Sequence, residues 1–384
     1  MMRFRQRLAG VIALGVLPLT DAVIASQQET ADRFKLGLIP KPILVRERDL
    51  AARTQFLNLR SETTKGTFMN TFLKGLAGAL ALAGLASGLS APAMAQDKTV
   101  RIGFQKYGKL ILLKSKGSLE KKLEPLGFKV AWTEFPAGPQ LLEAVNVGAI
   151  DFGNTGEAPP IFAQAAGAPL LYVAHEPPAP RGEAILVPKD SPIKTVADLK
   201  GKKVALNKGS NVHYLLVKAL EKAGVKYSEI EPTFLAPADA RAAFEKGAVD
   251  AWVIWDPFQA AAEAATGART LANGEGLVFN HQFYLAAKSF AAANPKVIDV
   301  LLDELKDVDG WVQKDIKAAA AQLSLSVGIP APILEVALAR QSYGIKPADA
   351  SVVAAQQDIA DTFVALGLLP KAITISEAVW KAGS

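Results

Sequence analysis

Four segments of this chain share one local pattern, in which an apolar strand ends, a glycine or small polar residue follows, and a helix begins. They are residues 104–108, 154–160, 208–211 and 255–257. In open α/β sheets, ligands bind at the carboxyl ends of the strands. The first turn of a helix there offers unpaired backbone N–H groups and the positive end of the helix dipole. The pattern therefore predicts a site that holds a small anion through backbone groups.

Each segment also has a purely structural interpretation. Ser210 or Asn211 is a favourable N-cap for the helix that follows, and so is Asp256 for the next one. His213 falls in the first turn of a helix, where surface and capping positions are common, and Trp255 ends a strand whose core would bury it. The functional interpretation depends on the presence of four such strand ends in one chain.

The sequence lacks the motifs of the common catalytic and cofactor sites. It has no cysteine, and its three histidines are far apart, so neither thiolate chemistry nor a histidine-rich metal site is predicted. Ser210 and His213 are three residues apart, but no GxSxG surrounds the serine. No GxGxxG follows the first strand, and GxxxxGK[ST] does not occur. We therefore expect a binding protein without a catalytic group, metal or cofactor.

The segment 69–95 has the three-part pattern of a secretory signal peptide. A lysine precedes a short apolar run rich in Ala and Gly, and Ala93-Met94-Ala95 follows as a small-residue cleavage site. The apolar run is too short for a permanent membrane span. We expect export to the periplasm and a mature chain that begins directly after Ala95. Residues 1–68 are interpreted as the result of a start codon assigned too early, and the alternative is a long leader.

The charge balance changes when the signal peptide is removed. The whole chain has 43 Lys and Arg residues against 37 Asp and Glu, a net charge of +6. Residues 1–95 hold 12 basic and 6 acidic residues, which leaves 31 of each kind in residues 96–384. A neutral mature chain gives no electrostatic reason to expect nucleic acid or an anionic membrane surface as a partner.

From residue 99 onward, short apolar runs alternate with amphipathic helical stretches, which predicts an α/β fold with mostly parallel sheets. The pattern includes a strand over residues 150–152 and one helix that runs to about Leu126. The alternation breaks at the proline-rich residues 175–183 and then resumes with a second α/β set. From Pro295 onward the pattern is almost wholly helical.

Two α/β sets joined near residues 175–183 and again near 279–286 predict two lobes with a hinged cleft between them. Residues 96–182 and 283–384 would form the first lobe, with the helical C-terminal part packed on it. Residues 183–282 would form the second lobe.

Four motifs in this order, EFPAGPQ, TGEAPP, KGSNVH and WDPF, carry a resemblance to a known family. From about Val100 to about Trp380, the chain closely resembles the aliphatic sulfonate-binding proteins of ABC importers. Single motifs recur in nitrate- and taurine-binding relatives and in thiamine-pyrimidine precursor proteins, but the combination is specific. TGEAPP departs from the TGDIPP of many relatives. Glu157 therefore carries its charge on a longer side chain than Asp would, and the sequence does not determine the size of the pocket.

The resemblance implies a two-lobed periplasmic binding protein of type II that closes on an alkanesulfonate and serves sulfur uptake. The closed monomer would dock on a membrane permease driven by a cytoplasmic ATPase. The ligand-binding loops of the family fall on ten residues of this chain, which are Gln105, Thr155, Gly156, Glu157, Gly209, Ser210, Asn211, His213, Trp255 and Asp256.

The chemistry of a sulfonate agrees with this expectation. It is a permanently ionised tetrahedral anion with three acceptor oxygens, which suits N–H groups at helix ends and hydroxyl groups. Carboxylates would repel it, so we expect Glu157 and Asp256 to bind neighbouring groups and Trp255 to cover the organic part. The alternative ligand is taurine, nitrate or another small anion, and taurine would need Glu157 or Asp256 for its ammonium group. A pyrimidine-forming enzyme is disfavoured by the lack of cysteine.

Overall fold

The computed structural model describes residues 98–381. The expected signal peptide, residues 69–95, and the segment 1–68 before it lie outside the described residues. The described strands are β1 Lys98–Phe104, β2 Phe128–Glu134, β3 Phe152–Gly156, β4 Leu170–His175, β5 Glu183–Val187, β6 Lys203–Leu206, β7 Glu231–Phe234, β8 Ala251–Trp255, β9 Arg269–Asn273 and β10 Gln282–Ala287.

Helices connect these strands and form the C-terminal part of the chain. They are α1 Lys109–Lys116, α2 Ser118–Leu123, α3 Gly138–Asn146, α4 Ala158–Ala165, α5 Asn211–Lys222, α6 Pro237–Glu245, α7 Phe258–Thr266, α8 Lys288–Ala293, α9 Pro295–Lys314, α10 Ile316–Val327, α11 Ala331–Ala339 and α12 Ala350–Ala365. Short 3₁₀ helices cover Glu124–Leu126, Pro180–Gly182, Val196–Leu199, Tyr227–Glu229 and Ile375–Ala378.

The strands form two five-stranded sheets with the orders β2-β1-β3-β10-β4 and β7-β6-β8-β5-β9. In the first sheet β10 is antiparallel to β3 and β4, whereas β1 is parallel to β2 and β3. In the second sheet β5 is antiparallel to β8 and β9, and β6 is parallel to β7 and β8. The strand antiparallel to both of its neighbours is β10 in the first sheet and β5 in the second. Each of these two strands directly follows a segment in which the chain crosses from one sheet to the other. The predicted two-lobed α/β fold is confirmed.

We call the sheet of β1–β4 and β10 with its helices the first lobe, and the sheet of β5–β9 with its helices the second lobe. The crossing segments are residues 176–182 and 274–281. Every residue of the inner strands β3 and β5 is buried, because helices cover both faces of each sheet. The edge strand β2 instead has mostly exposed or half-buried residues.

Strand β3 differs from its prediction in a way that matters for the site. It covers Phe152–Gly156, not residues 150–152, so Asn154, Thr155 and Gly156 are paired strand residues. Because Asn and Gly are disfavoured in strands, the sequence FGNTG does not predict a strand over these residues. Antiparallel pairing with β10, in which Phe283 lies opposite Thr155, provides the tertiary support that the local sequence lacks.

One other expectation was wrong, and one strand was missed. The predicted helix to about Leu126 is divided at Gly117, whose φ of 61° ends α1 in the left-handed region that favours glycine. Strand β9, Arg269–Asn273, was not predicted, because its sequence RTLAN is too short and polar to show a strand period.

The C-terminal helices cover the first lobe and also reach the second. Helices α9 and α10 pack on α1, and α12 packs on α4, whereas α11 contacts α7 of the second lobe. Between residues 98 and 381 no single helix is long and apolar enough to cross a membrane. The pair α10 and α11 reaches that length and composition only when counted together, across a bend of 118°.

Candidate ligand-binding site

A cavity of about 40 Å³ lies between the two lobes, and four parts of the chain contribute to its wall. The first lobe contributes Gln105, Tyr107, Gly108, Gly138, Asn154, Gly156 and Pro159, and the second contributes Ser210, Asn211 and Trp255. The crossing segments with the start of β10 contribute Glu176, Ala179, Gly182, Asn280 and Gln282, and the chain after α11 contributes Arg340 and Gln341. All four strand ends singled out in the sequence reach this one cavity.

Helix N-termini converge on the cavity. Gly108 precedes α1, Gly138 begins α3, Pro159 lies in the first turn of α4, and Ser210 precedes α5. The first N–H groups of any α-helix have no partner within the helix, and the dipole there favours negative charge. Four such ends at one cavity make a site for an anion that needs few cationic side chains.

The first-lobe wall is held by hydrogen bonds between neighbouring strand ends. Nε2 of Gln105, directly after β1, donates to the carbonyl of Asn154 in β3 at 3.1 Å. Gly108 has a φ of 92°, and a Cβ there would lie 3.1 Å from Nδ2 of Asn154. A side chain at this position would therefore be strained and would crowd the asparagine amide that lines the cavity.

The two lobes touch directly at Gly156 and Asn211. A Cβ on Gly156 would lie 2.7 Å from Cγ and Oδ1 of Asn211, so only glycine allows this approach. The amide of Asn211 is fixed from two other sides, because Nδ2 donates to Oε2 of Glu183 and to Oδ1 of Asn280 at 3.0 Å. Asn211 therefore links the second lobe to both the first lobe and a crossing segment.

Asn280 has an unusual backbone conformation that its side chain supports. Its φ is 53°, in the left-handed region that asparagine tolerates better than most residues. Its Nδ2 donates to the carbonyl of Ala179 at 2.9 Å, which ties the two crossing segments together beside the cavity. Neither Asn280 nor Ala179 was singled out in the sequence, since a lone asparagine in a loop has no distinctive motif.

Ser210 precedes α5 but does not cap it with its side chain. Its Oγ donates instead to the carbonyl of Asn207 at 2.7 Å, and the residue is buried. The capping interpretation of Ser210 therefore does not describe this structure. The hydroxyl closes the loop 207–210, which presents the N-terminus of α5 to the cavity.

Trp255 is the last residue of β8 and is half-buried, unlike the four buried residues before it. Its ring meets that of Phe258 edge to face, with centroids 6.4 Å apart. An indole that is partly open to a cavity can cover apolar atoms of a ligand while its other face packs on the protein.

Five of the ten residues expected at the site lie in the cavity wall, and five lie behind it. Those in the wall are Gln105, Gly156, Ser210, Asn211 and Trp255. Those behind it are Thr155, Glu157, Gly209, His213 and Asp256, each of which is buried.

Thr155 and Gly209 have supporting positions behind the wall. Oγ1 of Thr155 donates to the carbonyl of Gly156 at 3.0 Å, and the residue packs against Gly138. Gly209 has a φ of 73° and packs on the ring of Phe162 in the first lobe. Both residues shape the backbone that faces the cavity.

The two carboxyl groups bind protein groups, as the sulfonate chemistry led us to expect. Oε2 of Glu157 accepts the N–H of His281 at 2.9 Å, and burial raises the pKa of Glu157 to about 7. Oδ1 of Asp256 accepts the N–H of Ala260 at 3.0 Å and lies 3.4 Å from the guanidinium of Arg340. Burial raises the pKa of Asp256 to about 6, although Arg340 opposes this shift.

His213 is buried, so the surface position considered for it is wrong. Its Nδ1 accepts the N–H of Gly209 at 3.3 Å, and its Nε2 lies 2.9 Å from the hydroxyl of Tyr227. Burial, and then the charge of Lys208, lower the pKa of His213 to about 4. The neutral ring with its proton on Nε2 satisfies both bonds, so His213 supports the loop that carries Gly209 and Ser210.

Two charged residues of the cavity wall were not expected from the sequence. Glu176 follows β4, and its carboxylate is bound by the buried ammonium of Lys109 and by the hydroxyl of Tyr284 at 2.7 Å. Arg340 lies at the end of α11 and pairs with Glu263 at 2.7 Å. No local motif distinguishes either residue, and only the packing of distant segments brings them to the cavity.

The comparisons with known proteins agree with the resemblance seen in the motifs. A profile of the family described as NMT1/THI5 like matches residues 126–311. The alkanesulfonate-binding protein SsuA from Xanthomonas axonopodis pv. citri, solved bound to MOPS, is 45% identical. The structural match covers 74% of this chain and 98% of that one with a TM-score of 0.71.

Two proteins of Escherichia coli are also similar. The periplasmic aliphatic sulphonate binding protein SsuA is 48% identical, and the match covers 75% of this chain and 93% of that one with a TM-score of 0.69. The taurine-binding periplasmic protein of strain K12 is 28% identical over 174 residues, which are 45% of this chain and 54% of that protein.

Proposed function

Because this chain belongs to the family of aliphatic sulfonate-binding proteins, we propose that it captures alkanesulfonates in the periplasm for import and sulfur uptake. The observation that carries the proposal is the convergence of four helix N-termini on one cavity between the lobes. Backbone N–H groups can serve all three sulfonate oxygens, and they stay protonated at every physiological pH.

We assign the contacts with the ligand to the residues in the wall. The sulfonate would meet the side-chain amide of Gln105, the backbone at Gly156 and Asn211 and the loop of Ser210, while Trp255 covers the first carbons. Arg340 supplies a cation in the wall. Thr155, Glu157, Gly209, His213 and Asp256 act through these residues by holding the wall in position.

Taurine is the second candidate, and the cavity chemistry separates it from a simple alkanesulfonate. Its ammonium group would need a carboxylate that borders the cavity. Glu157 and Asp256 do not border it, and the carboxylate of Glu176, which does, is already bound by Lys109 and Tyr284. This arrangement favours a ligand whose organic part is uncharged over a zwitterion.

The wider role follows from the same proposal. The chain would be exported with cleavage after Ala95, act as a monomeric binding protein without catalysis, and deliver its ligand to a membrane permease with a cytoplasmic ATPase. The mass of the exported protein would test the cleavage, because recovery of a chain that begins at Met1 would contradict it.

Thermal unfolding with a ligand panel tests the function. Ethanesulfonate, taurine, nitrate and sulfate would each be added at increasing concentration. A ligand present at 100 times its dissociation constant stabilises by about 2.7 kcal/mol, whereas a non-ligand leaves unfolding unchanged. Stabilisation by nitrate or sulfate with none by ethanesulfonate would overturn the proposal, and stabilisation by taurine alone would favour the second candidate.

A further inference from the structure

A buried cluster of one lysine and two acidic residues adjoins the cavity between the lobes. Lys109 begins α1, Glu176 follows β4 and Asp309 lies in α9, so three distant segments form the cluster. The three side chains are only 1%, 3% and 5% exposed. Glu176 borders the cavity, and the other two residues lie behind it. We call these three residues the buried triad.

The single ammonium group of the buried triad is shared unequally by the two acidic residues. Nζ of Lys109 donates to Oε2 of Glu176 and lies 3.9 Å from Oδ1 of Asp309. Oδ2 of Asp309 accepts the N–H of Gly344 at 2.7 Å, but its Oδ1 has no hydrogen-bond donor among the described residues. The ionised form of Asp309 is therefore poorly compensated.

The charges of the buried triad do not balance when all three groups are ionised. One ammonium then faces two carboxylates, and no other Lys or Arg of the described chain lies within 4 Å of either carboxylate. The hydroxyls of Tyr284 and Tyr343 also face the triad, but burial raises the pKa of both, so they stay neutral. An unpaired buried charge is costly, and a proton on one carboxyl group removes it.

Asp309 is the acidic residue that accepts this proton more readily. Glu176 keeps its direct bond to Lys109 and also accepts the hydroxyl of Tyr284 at 2.7 Å. Burial raises the pKa of Asp309 to about 6, and the charge of Glu176 adds to the rise although Lys109 opposes it. A further negative charge near the triad would therefore protonate Asp309 at a pH close to neutral.

We propose that Asp309 takes up a proton when an alkanesulfonate enters the cavity, so that the protein captures the anion and a proton together. The inference rests on the proposed function and adds a dependence of the same site on pH. A sulfonate in the cavity that Glu176 borders brings a third negative charge close to one ammonium group. The sulfonate stays ionised, so the proton passes from solvent to the protein. Asp309 acts through Lys109 and Glu176 and is a positioning residue.

Other titratable residues adjoin the cavity wall, and the experiment has to separate them from the buried triad. Three are buried carboxyl groups that do not pair with Lys109 within the described chain. Two are histidines, each with Nδ1 within 2.9 Å of the backbone carbonyl of Glu176. These five residues are Glu157, Glu183, Asp256, His175 and His281.

Calorimetric titration with ethanesulfonate in two buffers counts the protons taken up. Phosphate and imidazole differ in ionisation enthalpy, and neither carries a sulfonate group. The difference in apparent binding enthalpy between the buffers gives the number of protons per ligand. Asp309→Asn keeps an acceptor for the N–H of Gly344 but cannot ionise. Asp303→Asn is the matched control, on the exposed side of the same helix.

Between the pKa of Asp309 in the free protein and its higher value in the complex, the complex holds more protons, so binding strengthens as the pH falls. We expect an uptake of at least about 0.3 proton per ligand at pH 6.5 and an affinity that rises about three- to tenfold from pH 8 to 5.5. Two charges at an effective dielectric constant of about 20, partly screened by salt, have an effect of this size.

Asp309→Asn should lose most of the proton uptake. Because its side chain is always neutral, it should bind ethanesulfonate at pH 8 within about threefold of the affinity that the unmodified protein has at pH 5.5. Asp303→Asn should behave as the unmodified protein. Denaturant unfolding of both variants shows that they are folded.

The outcomes separate this inference from the proposed function. If ethanesulfonate binds at no pH, the proposed function itself fails. If it binds without proton uptake and with the same affinity from pH 5.5 to 8, the proposed function stands and this inference is wrong. Uptake that Asp309→Asn leaves unchanged, whether or not Glu157→Gln or Asp256→Asn removes it, also overturns the assignment.

A measurement on the unmodified protein decides the question if Asp309→Asn does not fold. Carbon NMR shifts of the side-chain carboxyl group of Asp309, followed between pH 5 and 8, give its pKa with and without ethanesulfonate. The inference requires a higher pKa in the complex than in the free protein. An equal pKa in the two states would show that the ligand and the proton are not coupled at Asp309.

Discussion

Arg340 and Glu263 form an ion pair between the two lobes, with Nη2 of the arginine 2.7 Å from Oε2 of the glutamate. Arg340 follows α11, which belongs to the C-terminal helices, whereas Glu263 lies in α7 of the second lobe. The same guanidinium lies 3.4 Å from the buried carboxylate of Asp256, directly after the strand that ends at the site. The arginine thus joins the lobes at the cavity wall.

Replacing this arginine should weaken the contact between the lobes. Arg340→Gln leaves the carboxylate of Asp256 buried without its cation, and Arg340 is itself only partly exposed. We expect a loss of about 1–3 kcal/mol in the free energy of unfolding, less than for a fully buried pair, together with weaker binding of ethanesulfonate.

Denaturant unfolding and calorimetric titration measure the two effects of Arg340→Gln. Arg241→Gln is the control, because Arg241 pairs with Glu245 on the surface of α6 and should change stability by less than about 0.5 kcal/mol. Equal effects of the two substitutions would show that the pair between the lobes has no special role.

Gly156→Ala should prevent the close approach of the lobes. The new Cβ would lie 2.7 Å from Asn211, whose amide is held by Glu183 and Asn280 and cannot move aside. We expect a stability loss of about 1–3 kcal/mol from overpacking. Ethanesulfonate binding should weaken by at least about tenfold, the equivalent of about 1.4 kcal/mol.

The matched control for this prediction is Gly310→Ala in α9. A Cβ at Gly310 would meet no described atom within 4 Å. Alanine is favoured over glycine in a helix interior, so this variant should be more stable by about 0.5–1 kcal/mol and should bind normally. Normal binding by Gly156→Ala would mean that the contact with Asn211 is not needed for the ligand.

Glu157→Gln should change how stability depends on pH. Burial raises the pKa of Glu157 from 4.5 to about 7, so between these values the folded state holds more protons than the unfolded state. The contribution of Glu157 to stability therefore falls as the pH rises from about 4.5 to about 7 and is constant above that range.

The glutamine keeps an acceptor for the N–H of His281 but does not ionise. Relative to the unmodified protein, Glu157→Gln should thus become more stable as the pH rises from 5 to 7.5. Denaturant unfolding at several pH values measures the difference. If the difference in the free energy of unfolding between the two proteins does not change with pH from 5 to 7.5, the raised pKa of Glu157 is contradicted.

His213 should stay neutral across the physiological range. Its lowered pKa, about 4, means that the folded state binds fewer protons than the unfolded state between about pH 4 and 6.5. The contribution of His213 to stability therefore decreases as the pH falls through that interval. Nitrogen NMR shifts should show the proton on Nε2 from pH 5 to 8.

His213→Phe should weaken the loop before α5 by removing the acceptor of the Gly209 N–H. A buried donor without a partner costs about 1–3 kcal/mol. Tyr227→Phe keeps that acceptor and removes only the bond to Nε2, so it should cost less. Equal losses for Tyr227→Phe and His213→Phe would show that the main support comes from the bond of Nε2 to Tyr227.

Much of the architecture could be predicted because it is local. The alternation of apolar runs and amphipathic stretches indicates strands and helices directly, and the break after His175 marks the crossing between lobes. Strands β3 and β9 show where this fails, since FGNTG and RTLAN have no strand period of their own. Pairing with neighbouring strands is what makes them strands.

The sequence by itself determined the two-lobed fold, the family and the strand ends that meet at the cavity. Those ends are short motifs in which the strand, the turn and the helix start are adjacent in the chain. Only the tertiary structure decided that Ser210 lines the cavity while His213 supports the loop from behind. Ser210 lies in extended backbone before α5, whereas the buried ring of His213 in the first turn accepts the N–H of Gly209. It also decided the place of Arg340, since an arginine after a C-terminal helix reaches the site only through packing between α11 and α7.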